Sequence, residues 1–214
     1  MMHVIPSVNC EDEACARKKI ETLRGFLPEG SFVHGDVTDG AFSSYKIWNH
    51  PHGWSRLGAP YLLEVHLMVE LPLDYAEDWF AAGARRLIVH VETLSRDVLH
   101  SLRQVADRYR GELMLTSRPE THYLELEPYV REFTLFEVLS VNPGAPGQAF
   151  LPVTLEKIRF LREVSPDATI EVDGGVNLET AKLVKSAGAD TLVTTHYLFD
   201  SPDPAAAFRA LEEI

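Results

Sequence analysis

Short apolar runs alternate with amphipathic segments from one end of the chain to the other. Eight of the runs have the length and the β-branched and aromatic content of strands: HVIPSVN (3 to 9), SFVHGDV (31 to 37), LLEVHLMV (62 to 69), RLIVHVE (86 to 92), ELMLTS (112 to 117), LFEVLSVN (135 to 142), TIEVDGG (169 to 175) and DTLVTTHY (190 to 197). Helical patterns lie between them. Val98, Leu102, Val105 and Tyr109 recur at near-helical spacing before Gly111, and Leu155, Ile158, Leu161 and Val164 do so before Pro166. Asn177 has the chemistry of an N-cap for a helix that Gly188 would close. The second crossover is the exception: residues 43 to 60, SSYKIWNHPHGWSRLGAP, are dominated by Pro, Gly and aromatics, which predicts a long loop over the active face in place of much of a helix. Eight strand-helix units predict an α/β fold of the (β/α)8 TIM barrel type, one domain over residues 1 to 214, with the active site at the carboxyl ends of the strands.

Composition narrows the partners. A chain of 214 residues that is 45% hydrophobic and 24% charged can bury one sizeable core. Its net charge of -12 leaves no basic surplus for a nucleic-acid backbone, and any phosphate site must rely on local donors. No run of about 18 uncharged apolar residues occurs and the first residues lack the pattern of an export signal, so neither membrane insertion nor secretion is expected. The two cysteines, Cys10 and Cys15, stand too near each other to suggest a disulfide framework, and Cys10 reads as a small packed residue. A cytoplasmic protein is the expectation.

Polar residues collect where the predicted strands run out: Ser7, His34 and Asp36, His66, His90, Asn142, Asp173, and Thr195 with His196. Buried barrel strands normally read as apolar runs, so four histidines at four strand ends need an account. Within FVHGDVTDG, residues i and i+2 point to one face, so His34 and Asp36 offer an imidazole nitrogen and a carboxylate oxygen to the same patch. A strand end turning into solvent at Asp39-Gly40 is the plain alternative for that stretch, and a hydrogen-bonded core histidine is the plain alternative for each histidine alone. Taken together, His34, Asp36, His66 and Asp173 form a donor set suited to a divalent metal ion, Zn2+, Fe2+ or Mn2+, which would polarise a carbonyl and stabilise an enediolate. Carboxylates from strands two and seven would approach a substrate from opposite faces, one removing a proton and the other returning it. That is epimerisation.

The segments PSVNC, HGDVTDGAF, EVHLMVELP, IVHVE, SVNPGAPGQAF, LEKIRFLR, IEVDGGVN and AGADTLV stand in the order and approximate spacing of the ribulose-phosphate 3-epimerase family, which the chain resembles over nearly its whole length. The family interconverts ribulose 5-phosphate and xylulose 5-phosphate by inverting C3. The resemblance implies that His34, Asp36, His66 and Asp173 are metal ligands, with Asp36 and Asp173 the acid/base pair. It places Ser7 on a substrate-contacting serine, His66 and Asp173 beside the substrate, and the phosphate on backbone groups of Gly144, Ala145, Pro146 and Gly147, of Gly174 and Gly175, and of the region at Thr195 and His196. A small-molecule sugar phosphate is then the partner, and a homo-oligomer is expected.

Departures from the family pattern fall around the substrate. Thr195-His196 stands where a Gly-Ser pair is usual, Thr38 where a methionine is, and Ala41-Phe42-Ser43-Ser44-Tyr45 in place of a His-Phe-Val-Pro-Asn wall. Thr116-Ser117-Arg118-Pro119 replaces Leu-Asn-Pro, and Ala145-Pro146 replaces Phe-Gly. The metal and proton-transfer group is complete while the specificity shell is altered, which implies retained chemistry on the same ketose phosphate or on another, a hexulose 6-phosphate or an unphosphorylated sugar; a barrel that binds a sugar phosphate without turnover is the reading outside catalysis. Among the lesser signals, His90 reads as support in the barrel mouth, and Arg118 as either an anion contact or an exposed side chain. His50 and His52 read as solvated.

Overall fold

The computed structural model describes residues 1–214 apart from Lys46, Asn49 and Pro146. Strands β1 (His3–Pro6), β2 (Phe32–Thr38), β3 (Leu62–Met68), β4 (Ala84–His90), β5 (Glu112–Thr116), β6 (Leu135–Leu139), β7 (Thr169–Asp173) and β8 (Thr191–Thr194) form. Interleaved with them are helices α1 (Glu13–Arg24), α2 (Pro51–Leu57), α3 (Leu73–Ala81), α4 (Arg96–Tyr109), α5 (Thr154–Val164) and α6 (Leu178–Ala187), with α7 (His196–Phe199) and α8 (Pro204–Glu212) after β8. The strands share one sheet in the order β1-β8-β7-β6-β5-β4-β3-β2. A parallel bridge between Ser7 and His34 ties the chain just past β1 to β2, so the order returns on itself. The fold is a (β/α)8 TIM barrel, as the alternation of runs predicts.

All eight predicted strands are present, most of them ending a few residues earlier than the apolar runs because the polar residues at their ends turn into loops. Helix α6 is bounded as its sequence dictates: the Asn177 side chain accepts from Glu179 N and Thr180 N, the Thr180 hydroxyl accepts from Asn177 N, and Gly188 closes the helix at φ 115°. In α5 the buried stripe is Thr154, Lys157, Ile158 and Leu161, one position round from the predicted stripe, so Val164 is exposed. Lys157 occupies that stripe because its Nζ donates to Ser117 Oγ at 2.8 Å and to Arg118 O at 2.6 Å. The crossover after β5 is a 3-10 helix over Tyr123–Tyr129, held short of an α-helix by Pro128 within it. Residues 43 to 60, expected as loop, contain the seven-residue α2, with Pro51 in its first turn and Gly58 in the left-handed conformation at its end.

The chain divides into two compact units, one of Met1–Pro6 with Met114–Ile214 and one of Ser7–Leu113. Leu23, Leu67, Trp79, Leu87, Ile88 and Leu102 are fully buried in the second, and Met114, Leu115, Leu126, Phe136 and Leu139 in the first. Among the described residues no helix is long and apolar enough to cross a membrane.

The cysteines correct the sequence-based expectation. Cys10 and Cys15 are joined by a disulfide with their Cα atoms 5.7 Å apart. Five residues of extended chain would span roughly 17 Å. The turn into α1, where Asp12 is extended and accepts from Cys15 N at 2.8 Å, folds that length back on itself.

Candidate active site

Within the Ser7–Leu113 unit, β2 and β3 pair in register with His34 opposite Glu64 and Asp36 opposite His66. Alternation along each strand therefore carries His34, Asp36, Glu64 and His66 to one face. Asp36 Oδ1 lies 3.0 Å from His34 Nε2 and 3.3 Å from His66 Nδ1. His34 Nδ1 is 3.0 Å from Glu64 Oε1, and Glu64 Oε2 accepts from Arg86 Nη1 at 2.9 Å. Both His34 and Glu64 are fully buried. Burial pushes the Asp36 carboxyl up, but the hydrogen bonds and charges of His34 and His66 outweigh it and hold the group well below the usual carboxylate range.

His90, expected as support, plays that part: its Nε2 is 2.8 Å from His66 Nε2 and its ring stacks on His66 with centroids 5.0 Å apart. Phe42 also packs on His90, with ring centroids 4.5 Å apart. Trp54 of α2 lies so close to Gly35 that a Cβ there would stand 3.0 Å from its ring, so the segment read as loop supplies a wall to the strand bearing His34 and Asp36. Ser7 is fully buried beside His34, and its hydroxyl has no hydrogen-bond partner among the described residues.

Asp39, at the turn after β2, organises the loop behind this group. Its carboxylate accepts from Ala41 N and Phe42 N, each at 2.8 Å, and from Glu70 N at 2.7 Å. Burial raises its carboxyl, but these backbone donors prevail and hold it below the ordinary value. A lowered folded-state value means that the stabilisation is complete above the unfolded pKa of about 4 and is lost as pH falls through the folded value. Asp39→Ala is expected to cost about 2 kcal/mol at neutral pH, with the gap from the unmodified protein closing below about pH 4. Urea unfolding midpoints at pH 7 and pH 3 check this.

Within the other unit, Asp173 closes β7, and its carbonyl accepts from Ser140 N and Ser140 Oγ, both at 2.7 Å. Ser140 Oγ also reaches Gly174 O at 2.7 Å, which fixes the chain just after the aspartate. Gly174 and Gly175 have φ of 103° and 63°, and a Cβ on either would press within 2.5 Å of Val141 or of the Phe150 backbone. Packing therefore requires both glycines, whatever else their amides do. The loop holding Gly144, Ala145 and Gly147 is closed by Gln148 Nε2, which donates to Asn142 O at 2.6 Å and to Ala145 O at 2.7 Å. Pro146 lies outside the described residues. Thr195 is half-buried, His196 is exposed, and a Cβ on Gly147 would stand 3.6 Å from the His196 ring, so these two loops adjoin.

Three further acids escape the sequence analysis although each leaves a signal in it. Glu64 is legible two places before His66, on the same face of an otherwise apolar run. Glu137 and Glu171, fully buried and opposite each other on β6 and β7, give the same signal of an acid inside an apolar strand.

Ribulose-phosphate 3-epimerase from Chlamydia muridarum is 33% identical, the alignment covering 92% of this chain and 87% of that one. The Aquifex aeolicus ribulose-phosphate 3-epimerase is 30% identical over 100% and 97%, and the rice cytoplasmic isoform 34% identical over 85% and 81%. Among solved structures, KGPDC from Streptococcus mutans superposes with a TM-score of 0.71 at 12% identity, covering 100% of this chain and 97% of that one. A 3-hexulose-6-phosphate synthase does so with a TM-score of 0.71 at 14% identity and 99% coverage of both. At such identities these two attest the barrel alone. The model of the ribulose-phosphate 3 epimerase family matches residues 3–199, and with relatives of this likeness the chain belongs to that family, carbohydrate epimerases of the isomerase class.

Proposed function

We propose that the protein is a metal-dependent 3-epimerase of a ketose phosphate, most simply interconverting D-ribulose 5-phosphate and D-xylulose 5-phosphate by two-base proton transfer through an enediolate. One observation carries the reading: His34 Nε2 and His66 Nδ1 converge on a single oxygen of Asp36. With the proton of a neutral His34 on Nδ1 and donated to Glu64, its Nε2 would offer a lone pair beside the Asp36 oxygen 3.0 Å away, which supports a cation held by both. Imidazole and carboxylate donors of this kind suit Zn2+, Fe2+ or Mn2+. His34, Asp36, His66 and Asp173 would hold the ion, which supplies a Lewis acid that draws charge onto the substrate oxygens.

The chain's own residues account for the rest. Asp36 removes the C3 proton from one face, and Asp173 delivers a proton to the other. The buried, unpartnered Ser7 hydroxyl supports a contact with a substrate oxygen, since a buried donor otherwise costs about 1 to 3 kcal/mol. His66 would face the same substrate. Backbone N–H groups of Gly144, Ala145 and Gly147, of Gly174 and Gly175, and of Thr195 and His196 would cradle the phosphate, while Pro146, which has no N–H, could only shape that loop. The chain acts as one catalytic domain over residues 1 to 214, in the cytoplasm, as a homo-oligomer.

Thr195 and His196 favour one alternative, the same chemistry on a hexulose 6-phosphate or an unphosphorylated sugar, because both are larger than the Gly-Ser pair that would admit an anion to backbone N–H groups. Metal-loaded protein in D2O with D-ribulose 5-phosphate is expected to place deuterium at C3 and form D-xylulose 5-phosphate, and a chelator is expected to stop both, as followed by proton NMR. Exchange confined to another ketose would move the substrate assignment. No exchange with any of them would leave a sugar-phosphate-binding barrel without turnover.

A further inference from the structure

We propose that Asn9 is the positioning residue of Asp36, fixing which oxygen of that carboxylate meets the imidazoles and which takes the proton. The inference rests on the two-base epimerase reading of the same site. Asp36 N donates to Asn9 Oδ1 at 2.8 Å, and Asn9 Nδ2 donates to Asp36 Oδ2. A backbone N–H can only donate, so it selects the amide oxygen and leaves the amide nitrogen facing the carboxylate. The amide thus grips the main chain and the side chain of one residue together.

Asn9 is itself held. Its carbonyl accepts from Lys19 Nζ at 2.7 Å, the preceding Val8 N donates to His34 O at 2.8 Å, and the following Cys10 is tied to Cys15 by the disulfide and accepts from Trp48 N at 2.9 Å. A clamp so anchored can restrain the terminal torsion of an aspartate, which is otherwise broad and roughly two-fold. Asp36 Oδ1 faces His34 Nε2 and His66 Nδ1, so the lone pair of Oδ2 that Asn9 does not use is the one left to accept a proton from C3. That oxygen becomes a carboxylic acid O–H while the C–H electron pair enters the enediolate, and nothing else is consumed. Asn9 is a neutral donor, so it orients the base without adding a full charge that would blunt it.

Asn9→Leu keeps similar bulk and removes both contacts. The prediction is a fall in kcat on the order of tenfold with KM little changed. Its distinguishing mark is an asymmetry. With substrates deuterated at C3, the isotope effect should rise for the epimer whose proton Asp36 removes and fall for the epimer that Asp173 addresses, because only one of the two proton transfers has become slower. A residue serving structure alone would slow both directions with isotope effects unchanged, and that result overturns the proposal. Asn9→Ala carries the same test if leucine prevents folding, which circular dichroism reports. Failure of the unmodified protein to exchange C3 would sink the epimerase reading itself; normal exchange with symmetric effects in the variants would sink only the role of Asn9.

Discussion

Asp173→Asn should lower epimerisation by a factor on the order of 10^3 to 10^4 while leaving one half of the reaction running. General acid-base assistance contributes about 10^2 to 10^4 in rate, and asparagine keeps the shape of aspartate while losing its capacity to accept a proton at neutral pH. On the proposed scheme the remaining carboxylate, Asp36, still faces the substrate, and His34 and His66 hold its carboxyl below the usual carboxylate range. The variant should therefore exchange the C3 hydrogen of one epimer with solvent and return it to the same face, giving deuterium wash-in without inversion. Asp36→Asn should show the mirror behaviour, with wash-in confined to the other epimer, although here the negative charge facing the two imidazoles is lost as well. Running each epimer separately in D2O with each variant gives four measurements, and the two-base scheme requires exchange in one of the two for each variant. Equal loss for both epimers in both variants would indicate a single shared base and overturn the assignment of Asp173 to the opposite face.

The barrel is legible in the sequence because its signals are local and repeated. Each strand is an apolar run with polar residues at its carboxyl end, and each well-formed helix carries its own boundary chemistry, as Asn177, Thr180 and Gly188 do for α6. The group around Asp36 is legible for a related reason: alternation in a strand puts His34 with Asp36 on one face, and the same rule puts Glu64 with His66. What cannot be read depends on where loops come to rest. Asn9 lies 27 residues from the aspartate it grips, and nothing in PSVNC marks that asparagine as more than a turn residue. The pairing of Cys10 with Cys15 is hidden because it depends on the turn into α1, which spacing along the chain does not reveal. Helix α2 is hidden since aromatics and Gly53 obscure its pattern, although Pro51 and Gly58 bracket it as helix boundaries should.

Glu64 is where folding and function are most tightly joined, so its replacement should damage both, and by separable amounts. Its carboxylate is fully buried between His34 Nδ1 and Arg86 Nη1, and Arg86 in turn lies over the Phe32 ring at 4.5 Å and reaches Glu112 Oε2 at 3.2 Å. Glu64→Leu leaves the guanidinium with one of its two acid partners and His34 without the acceptor that orients its ring. Breaking a buried pair from one side costs about 3 to 5 kcal/mol, here toward the lower figure because Glu112 remains. The double replacement Glu64→Leu with Arg86→Leu should recover much of that stability, since an apolar pair of similar volume does not have to be desolvated. It should not recover metal binding. Loss of the acceptor behind a ligating histidine typically weakens metal affinity about 10- to 100-fold, and neither variant restores it. Guanidinium unfolding midpoints and competition with a metal-sensitive chelator separate the two effects. Parallel recovery of stability and affinity in the double variant would mean that Glu64 serves only to neutralise Arg86, and that His34 is oriented by its place on β2 alone.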